Sequence, residues 1–201
     1  MNLKLSLVTI LFCGWMLWAP PTFASDFVTK GDIRKSSVEM FKSFFTEEKC
    51  DQILIDTFTI CYDHERKSPT AVYVEVTGPT VVEDIDKRPP FFTDKRVEKD
   101  YRTTSKDYTN TGYDRGHFGA SDASHDWDKK HQKATYSMAN IVPQTPFANR
   151  YKFIALEKHE REMAVKYGRL ENLTIAFWNN RPKRIGKSQL QVPSAFAKLY
   201  T

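Results

Sequence analysis

Two β-rich runs, ILIDTFTICY (53–62) and AVYVEV (71–76), are joined by the polar segment DHERKSP, which predicts a hairpin connection. A helical period dominates from about Asn149 to Tyr167. Phe153, Leu156, Met163 and Tyr167 recur at helical spacing, and Gly168 stands where a C-cap glycine belongs. LTIAFW and then QVPSAFAKLY read as strand material with a terminal turn. Residues 26–45 predict a ragged arm with a short helix. Residues 78–100, with Pro79, Pro89 and Pro90, predict a long surface loop. A polar stretch from Ala120 to Lys133 then precedes the short apolar run TYSMANIVPQ. Strands accompanied by one dominant helix indicate an α+β domain, and no solenoid repeat or low-complexity tract is present.

The first residues fall outside that pattern. Lys4, an uncharged apolar run from Leu5 to Trp18, Pro20, Pro21 and the ending Thr22-Phe23-Ala24 read as a signal peptide spanning residues 1–24. The run is short for a membrane span and prolines follow it directly, so no anchor is expected after cleavage. The resulting division is 1–24 leader, 25–47 N-terminal arm and 48–201 folded domain, with a secreted or periplasmic destination. Composition agrees with a packed domain: 40% of the 201 residues are hydrophobic, among them 14 Phe and 9 Tyr. Removing residues 1–24 takes away Lys4 and no acid, leaving 29 basic against 25 acidic residues and a net charge of +4. That balance admits nucleic acid, anionic lipid and wall polymers as partners and chooses none of them. Of three cysteines, Cys13 leaves with the leader. Cys50 and Cys61 remain as a candidate disulfide in an oxidising compartment, with two free buried thiols as the alternative.

The chemistry concentrates in YDRGHFGASD (113–122). On an extended strand residues i and i+2 share a side, which places Arg115 and His117 together beside the compact Gly116. A guanidinium fork suits phosphate oxygens, and a neutral imidazole can take a proton from water. Asp114 points the other way and orients backbone or neighbours. His64, His125, His131 and His159 lack such company and read as surface or satisfied core residues. Asn149 and Glu157 lie eight residues apart in the predicted helix. From spacing alone the favoured reading of Asn149 is a helix N-cap, which competes with a metal-ligand role for the same oxygen.

DRGH at 114–117, NIVPQ at 140–144, Asn149-Arg150 and Glu157, in that order, resemble the DNA/RNA non-specific endonucleases, the His-Me finger or ββα-metal nucleases. Cys50-Asp51, Phe58 to Tyr62, YRTTSKDYTNTGYDRGH and PKRIGKSQLQVPSAFAKLY extend the likeness to small exported members, covering most of residues 48–200. The resemblance implies a mainly antiparallel sheet with one dominant metal-site helix. It implies a secreted or periplasmic endonuclease acting on DNA, and on RNA as well, with little sequence preference. His117 matches the general base, Asn149 the single protein ligand of Mg²⁺ (replaceable by Mn²⁺), and Arg115 the group that stabilises phosphate charge. Glu157 matches an acid that hydrogen-bonds the metal's waters. Asn140 and Arg150 fall near the substrate, while Asp114, Gly116 and Gln144 give structural support.

One departure bears on that site. Family members commonly follow DRGH with an apolar residue and Ala-Pro; here Phe118-Gly119-Ala120-Ser121 stands instead, and the expectation is a looser turn behind His117. A loosened turn is the sole support for an alternative reading, an exported nucleic-acid-binding protein with weak catalysis. A basic domain for wall polymers or anionic lipid is a third reading, under which the DRGH and Asn149 pattern is coincidence.

Overall fold

The computed structural model describes residues 9–12, 50–55, 57–78, 81, 88–125 and 128–201. The predicted arm, residues 25–47 with its short helix, lies outside them. A six-stranded antiparallel sheet forms the base: β1 (Thr9–Phe12), β10 (Ala195–Tyr200), β7 (Arg169–Phe177), β4 (Ser68–Thr77), β3 (Phe58–Asp63) and β2 (Asp51–Ile55), in that spatial order. The run 53–62 is therefore two strands, because the chain reverses between Ile55 and Phe58 and pairs them edge to edge in one sheet. The DHERKSP hairpin forms as predicted, with Lys67 at positive φ in the turn. β1 comes from within the segment read as a leader and pairs only with β10.

One face of the sheet carries the main core. Phe58, Ile60, Val72, Val74 and Phe196 pack there against Phe118, Ala139, Val142, Phe153 and Ala164 from the layer above. Burying each large apolar side chain contributes about 1.5–3 kcal/mol, so this layer is where the fold gains most. The opposite face holds a smaller cluster of Ala71, Leu173 and the Cys50–Cys61 disulfide, which ties the start of β2 to β3. The bridge expected from the cysteine count is thus present.

Two features of the upper layer place the site. β5 (Asp114–His117) and β6 (Ile141–Gln144) form a separate antiparallel ribbon, with Asp114 opposite Gln144 and His117 opposite Ile141. The long helix follows: a wide π-type turn at Ala148–Phe153 runs into α2 (Ile154–Tyr167), after the short α1 (Lys129–Thr135). Gly168 closes α2 in the left-handed conformation at φ 83°, as its position predicts. Phe153 faces the core, but Tyr167 is exposed and lies off the buried stripe.

α2 is riveted to the sheet by charge. Lys198 on β10 and Glu160 on α2 are each about 1% exposed; Lys198 Nζ donates to Glu160 Oε1 at 2.5 Å, and Tyr200 Oη donates to the same oxygen at 3.0 Å. A buried pair of this kind stabilises little over an apolar substitute, yet removing one member strands the other. Lys198→Met is expected to lower the unfolding free energy in urea by about 3–5 kcal/mol, and Lys198→Met with Glu160→Leu to recover most of it. A double variant as unstable as the single one would contradict this account.

Candidate active site

The ribbon sets Arg115 and His117 on one side, as alternation requires. Phe91 marks that side: its ring lies 5.0 Å from the Arg115 guanidinium and 5.8 Å, centre to centre, from the His117 imidazole. Tyr136 closes on the same imidazole edge-to-face at 4.9 Å. Of the two ring nitrogens Nε2 is sealed from solvent without a hydrogen-bond partner. Burial, with the positive charge of Arg88 next in weight, pushes the His117 pKa down to about 3. The ring is neutral throughout the physiological range.

Asp114 projects to the opposite side and meets the helix there. Its carboxylate accepts from Arg150 Nε at 2.8 Å and Nη2 at 2.9 Å, and from Asn149 Nδ2 at 3.1 Å. These bonds, Arg150's first, hold the Asp114 carboxyl below its ordinary range. An ionised carboxylate only accepts, so the Asn149 amide must turn its Nδ2 toward it. That leaves Oδ1 of Asn149 without a protein donor, and Asn149 and Asp114 both line a cleft of about 350 Å³ with Arg115, Tyr113 and Phe91; His117 is not part of that lining. Asn149 is not a helix cap: its N–H already bonds Thr145 O within the helix, and Thr145 Oγ1 accepts from Ala148 N in its place. One edge of the Arg150 guanidinium, Nε and Nη2, is taken by Asp114, while Nη1 and most of the side chain stay exposed.

Behind the ribbon the support is dense. Asn140 is fully buried and touches no cleft. Its Nδ2 donates to Ala120 O at 2.8 Å and Thr135 O at 3.0 Å, and its Oδ1 accepts from the N–H groups of Gly119 and Ala120. The substrate-binding role expected for Asn140 is thereby replaced by a brace for the turn after His117. That turn is not loose. Phe118, Gly119, Ala120 and Ser121 are all buried, and a Cβ on Gly119 would stand 2.3 Å from Val72 side-chain carbons. Alanine does not fit there, and the packing removes the basis for the weak-catalysis alternative. Gln144 lies across Gly116 and donates from Nε2 to His117 O at 3.3 Å.

Glu157 sits apart from the cleft. Burial, with the carboxylates of Glu160 and Asp122, pushes its carboxyl up to about 7 against the pull of Lys198 and Arg161. No hydrogen bond joins it to Asn149. Asp122, one of the carboxylates that raise the Glu157 pKa, pairs with Arg88 at 3.1 Å, and Arg88 is, after burial, the charge that most lowers the His117 pKa. Arg88 and Phe91 escaped the sequence reading. Both come from the proline-containing loop, which is fastened when Phe92 N donates to Tyr136 O at 3.1 Å and Met138 N to Phe92 O at 2.9 Å. Asp94 adds a second tie, accepting from Ser137 Oγ at 2.5 Å. Length and Pro89-Pro90 marked that loop as a candidate, but its register against the site is set by contacts far away in sequence.

The family model for DNA/RNA non-specific endonucleases matches residues 36–201. The chain belongs to this endonuclease family. Human mitochondrial endonuclease G is 28% identical over 155 residues, covering 72% of this chain and 52% of that protein. The bovine protein is 29% identical over 155 residues, 71% of this chain and 51% of its own length. This endonuclease-family chain thus spans about half the length of those relatives. A nuclease of Nostoc sp. is 35% identical over 98 residues, 49% of this chain and 35% of that one. A crystal structure of the EndoG/EndoGI complex, described as giving the mechanism of EndoG inhibition, superposes with a TM-score of 0.69. It is 23% identical and covers 81% of this chain and 72% of that chain. The shared fold is the His-Me finger fold, in which the ribbon β5–β6 and the helix from Ala148 form the ββα unit.

Two predictions follow from this geometry. A Cβ on Gly116 would lie 2.2 Å from Cδ and Oε1 of Gln144, so Gly116→Ala is expected to cost about 1–3 kcal/mol in urea unfolding. Adding Gln144→Ala should relieve part of that loss; no relief would mean the clash lies elsewhere. The second concerns pH. His125, fully buried with Nδ1 2.9 Å from Ser121 O, has its pKa pushed down by burial to about 4, against the pull of the Ser121 bond. The folded protein therefore binds this proton less readily than the unfolded chain does. The stability contributed by neutral His125 is complete above pH ~6.5 and declines as pH falls toward 4, by about 3 kcal/mol. His125→Gln should reduce the loss of stability on acidification by that amount, leaving the part due to His117, as read from denaturation midpoints across the range.

Proposed function

We propose that the chain is a metal-dependent endonuclease that hydrolyses phosphodiester bonds of DNA, and of RNA, with little sequence preference. The observation that carries this reading is the Asp114 clamp. It holds the Asn149 carboxamide by its Nδ2 in a cleft lined also by Asp114 and Arg115, next to the strand that ends in a neutral His117, which supports reading Asn149 as the metal ligand. Among the described residues no three His, Cys, Asp or Glu side chains converge as a ligand cage. The cleft presents the Asn149 carboxamide beside the Asp114 carboxylate, an all-oxygen set that suits a hard cation keeping most of its own water. Asn149 would hold such an ion, with Mg²⁺ the expected one and Mn²⁺ a substitute. When bound it would supply charge neutralisation at the phosphate.

The remaining roles belong to side chains. With Nε2 enclosed, Nδ1 of His117 is the nitrogen assigned to take a proton from the attacking water. Arg115, exposed on the cleft and steadied over Phe91, receives the negative charge that grows on the phosphate oxygens. Glu157, near its midpoint at neutral pH, is assigned the support of proton traffic through water, a role that its raised pKa suits. No side chain of this set has base-edge recognition as its role, so sequence preference is expected to be weak. The setting is taken to be secreted or periplasmic after loss of residues 1–24, a step that would also remove β1 and leave β10 as a sheet edge. No helix among the described residues is long and apolar enough to cross a membrane.

Purified protein should nick supercoiled plasmid with Mg²⁺ and stop when the ion is chelated. His117→Ala is expected to slow cleavage by about 10²–10⁴-fold while leaving DNA retention on filters intact. Asn149→Ala should raise the Mg²⁺ concentration needed for half-maximal rate far more than Glu157→Ala does. Cleavage indifferent to metal, or full activity without His117, would refute the reading.

A further inference from the structure

A strongly basic hairpin flanks the cleft, and neither the sequence motifs nor the catalytic set uses it. Arg181, Lys183, Arg184 and Lys187 stand within seven residues, and no Asp or Glu follows Glu171 in the chain. All four are exposed, and among the described residues none is paired with an acid. They are carried by β8 (Arg184–Ile185) and β9 (Leu190–Gln191) and the segments beside them.

The hairpin is not a floating arm. Ile185 and Leu190 are buried in one cluster with Tyr108, Met138 and Ile141. Gly186, at φ 67°, abuts Asp107 so closely that a Cβ would lie 2.5 Å from Asp107 Cβ, and Ser188 N donates to Asp107 Oδ1 at 2.9 Å. At its base Val192 N donates to Lys183 O at 2.8 Å. The seat decides where the charge goes. Lys183 Nζ lies 4.8 Å from the centre of the Tyr113 ring, and Tyr113 lines the cleft with Arg115 and Asn149. A chain of positive charge therefore leaves the cleft on the Tyr113 side. On the helix side, by contrast, Arg150 is neutralised by Asp114.

The geometry points to the hairpin as a phosphate track: Lys183, Arg184 and Lys187 hold consecutive phosphates of the substrate strand that runs out of the cleft past Tyr113. This rests on the endonuclease reading and adds a direction to it. Exposed cations on a seated hairpin, Lys183 before the strand, Arg184 in it and Lys187 in its turn, suit a flexible polyanion, and contacts to phosphates alone leave sequence unread. A single strand meets them without steric demands from a second, so a length-dependent preference for extended strands follows.

The test separates the track from catalysis by measuring binding in chelator, where no cleavage occurs. Anisotropy of a labelled single-stranded DNA of about 20 nucleotides is followed against salt for the full protein. The variant Lys183→Gln/Arg184→Gln/Lys187→Gln should show a slope of log K on log [salt] smaller by about 2, and affinity about 100-fold weaker at ~0.1 M salt. Lys166→Gln, on the exposed end of α2, serves as a control and keeps the wild-type slope. Unchanged slope in the triple variant overturns the track, as does an equal change in the control. Plasmid nicking by the wild type with Mg²⁺ reads the endonuclease assignment separately. A wild type that shows the track's slope but cleaves nothing leaves the track standing and removes the enzyme.

Discussion

A single carboxylate holds the site together. Asp114 can only accept hydrogen bonds, and it takes three of them from two neighbouring residues of the helix, Asn149 and Arg150. The bidentate arginine fixes the distance between β5 and the helix start, and the amide bond fixes the rotation of Asn149. Neither residue would be aimed without the other. Arg150 alone would dock the helix with the carboxamide free to flip, and Asn149 alone would make one long bond on a half-exposed surface. The widened π-type turn at Ala148–Phe153 belongs to the same arrangement. It lets Asn149 and Arg150 both face Asp114 while Phe153, three residues on, sinks to 1% exposure in the core.

The imidazole end of the strand depends on a different device, backbone held by buried amides. Asn140 spends four hydrogen bonds on the chain around the Phe118–Ala120 turn and around Thr135, so the exit from His117 is set as firmly as its entry. Gln144 reaches across the ribbon only because Gly116 has no side chain in its way. Gly119 plays the same part toward Val72 on the main sheet. Three close approaches thus turn a four-residue strand, too short to be stable alone, into a rigid mount. The sealed Nε2 and low basicity of His117 are consequences: the ring is enclosed because the ribbon cannot draw away from Phe91 and Tyr136.

Much of this was legible in the residues, and the limits have physical causes. Alternation along DRGH placed Arg115 beside His117, helical spacing and Gly168 bounded the long helix, and the cysteine count anticipated the bridge. These are local rules with short reach. Asn149 read as a cap because capping is what an asparagine at a helix start most often does, and only the position of Asp114, 35 residues earlier, redirects its side chain. Arg150 read as substrate-facing for the same reason: its partner is remote. The looser turn predicted from the missing Ala-Pro overlooked the possibility that glycine is required by contact with Val72 rather than permitted by slackness. Arg88 and Phe91 were invisible as site residues because nothing in a proline-containing loop states which surface it will cover.

Charge is distributed along the molecule in a way that suits the assigned chemistry. Ionic pairs bear on architecture in the interior, as with Lys198 and Glu160, and on aim at the surface, as with Arg150 and Asp114. Among the cations outside such pairs, Arg115 lies at the cleft and four more stand beyond Tyr113 in and beside the β8–β9 hairpin. A paired cation adds little to the field a polyanion meets, whereas an unpaired one at the rim attracts over about a Debye length, ~8 Å at physiological salt. The neutral His117 fits the same division. A protonated ring would add to the attraction but could take no proton, and its enclosure keeps it as the one basic group at the site that carries no charge.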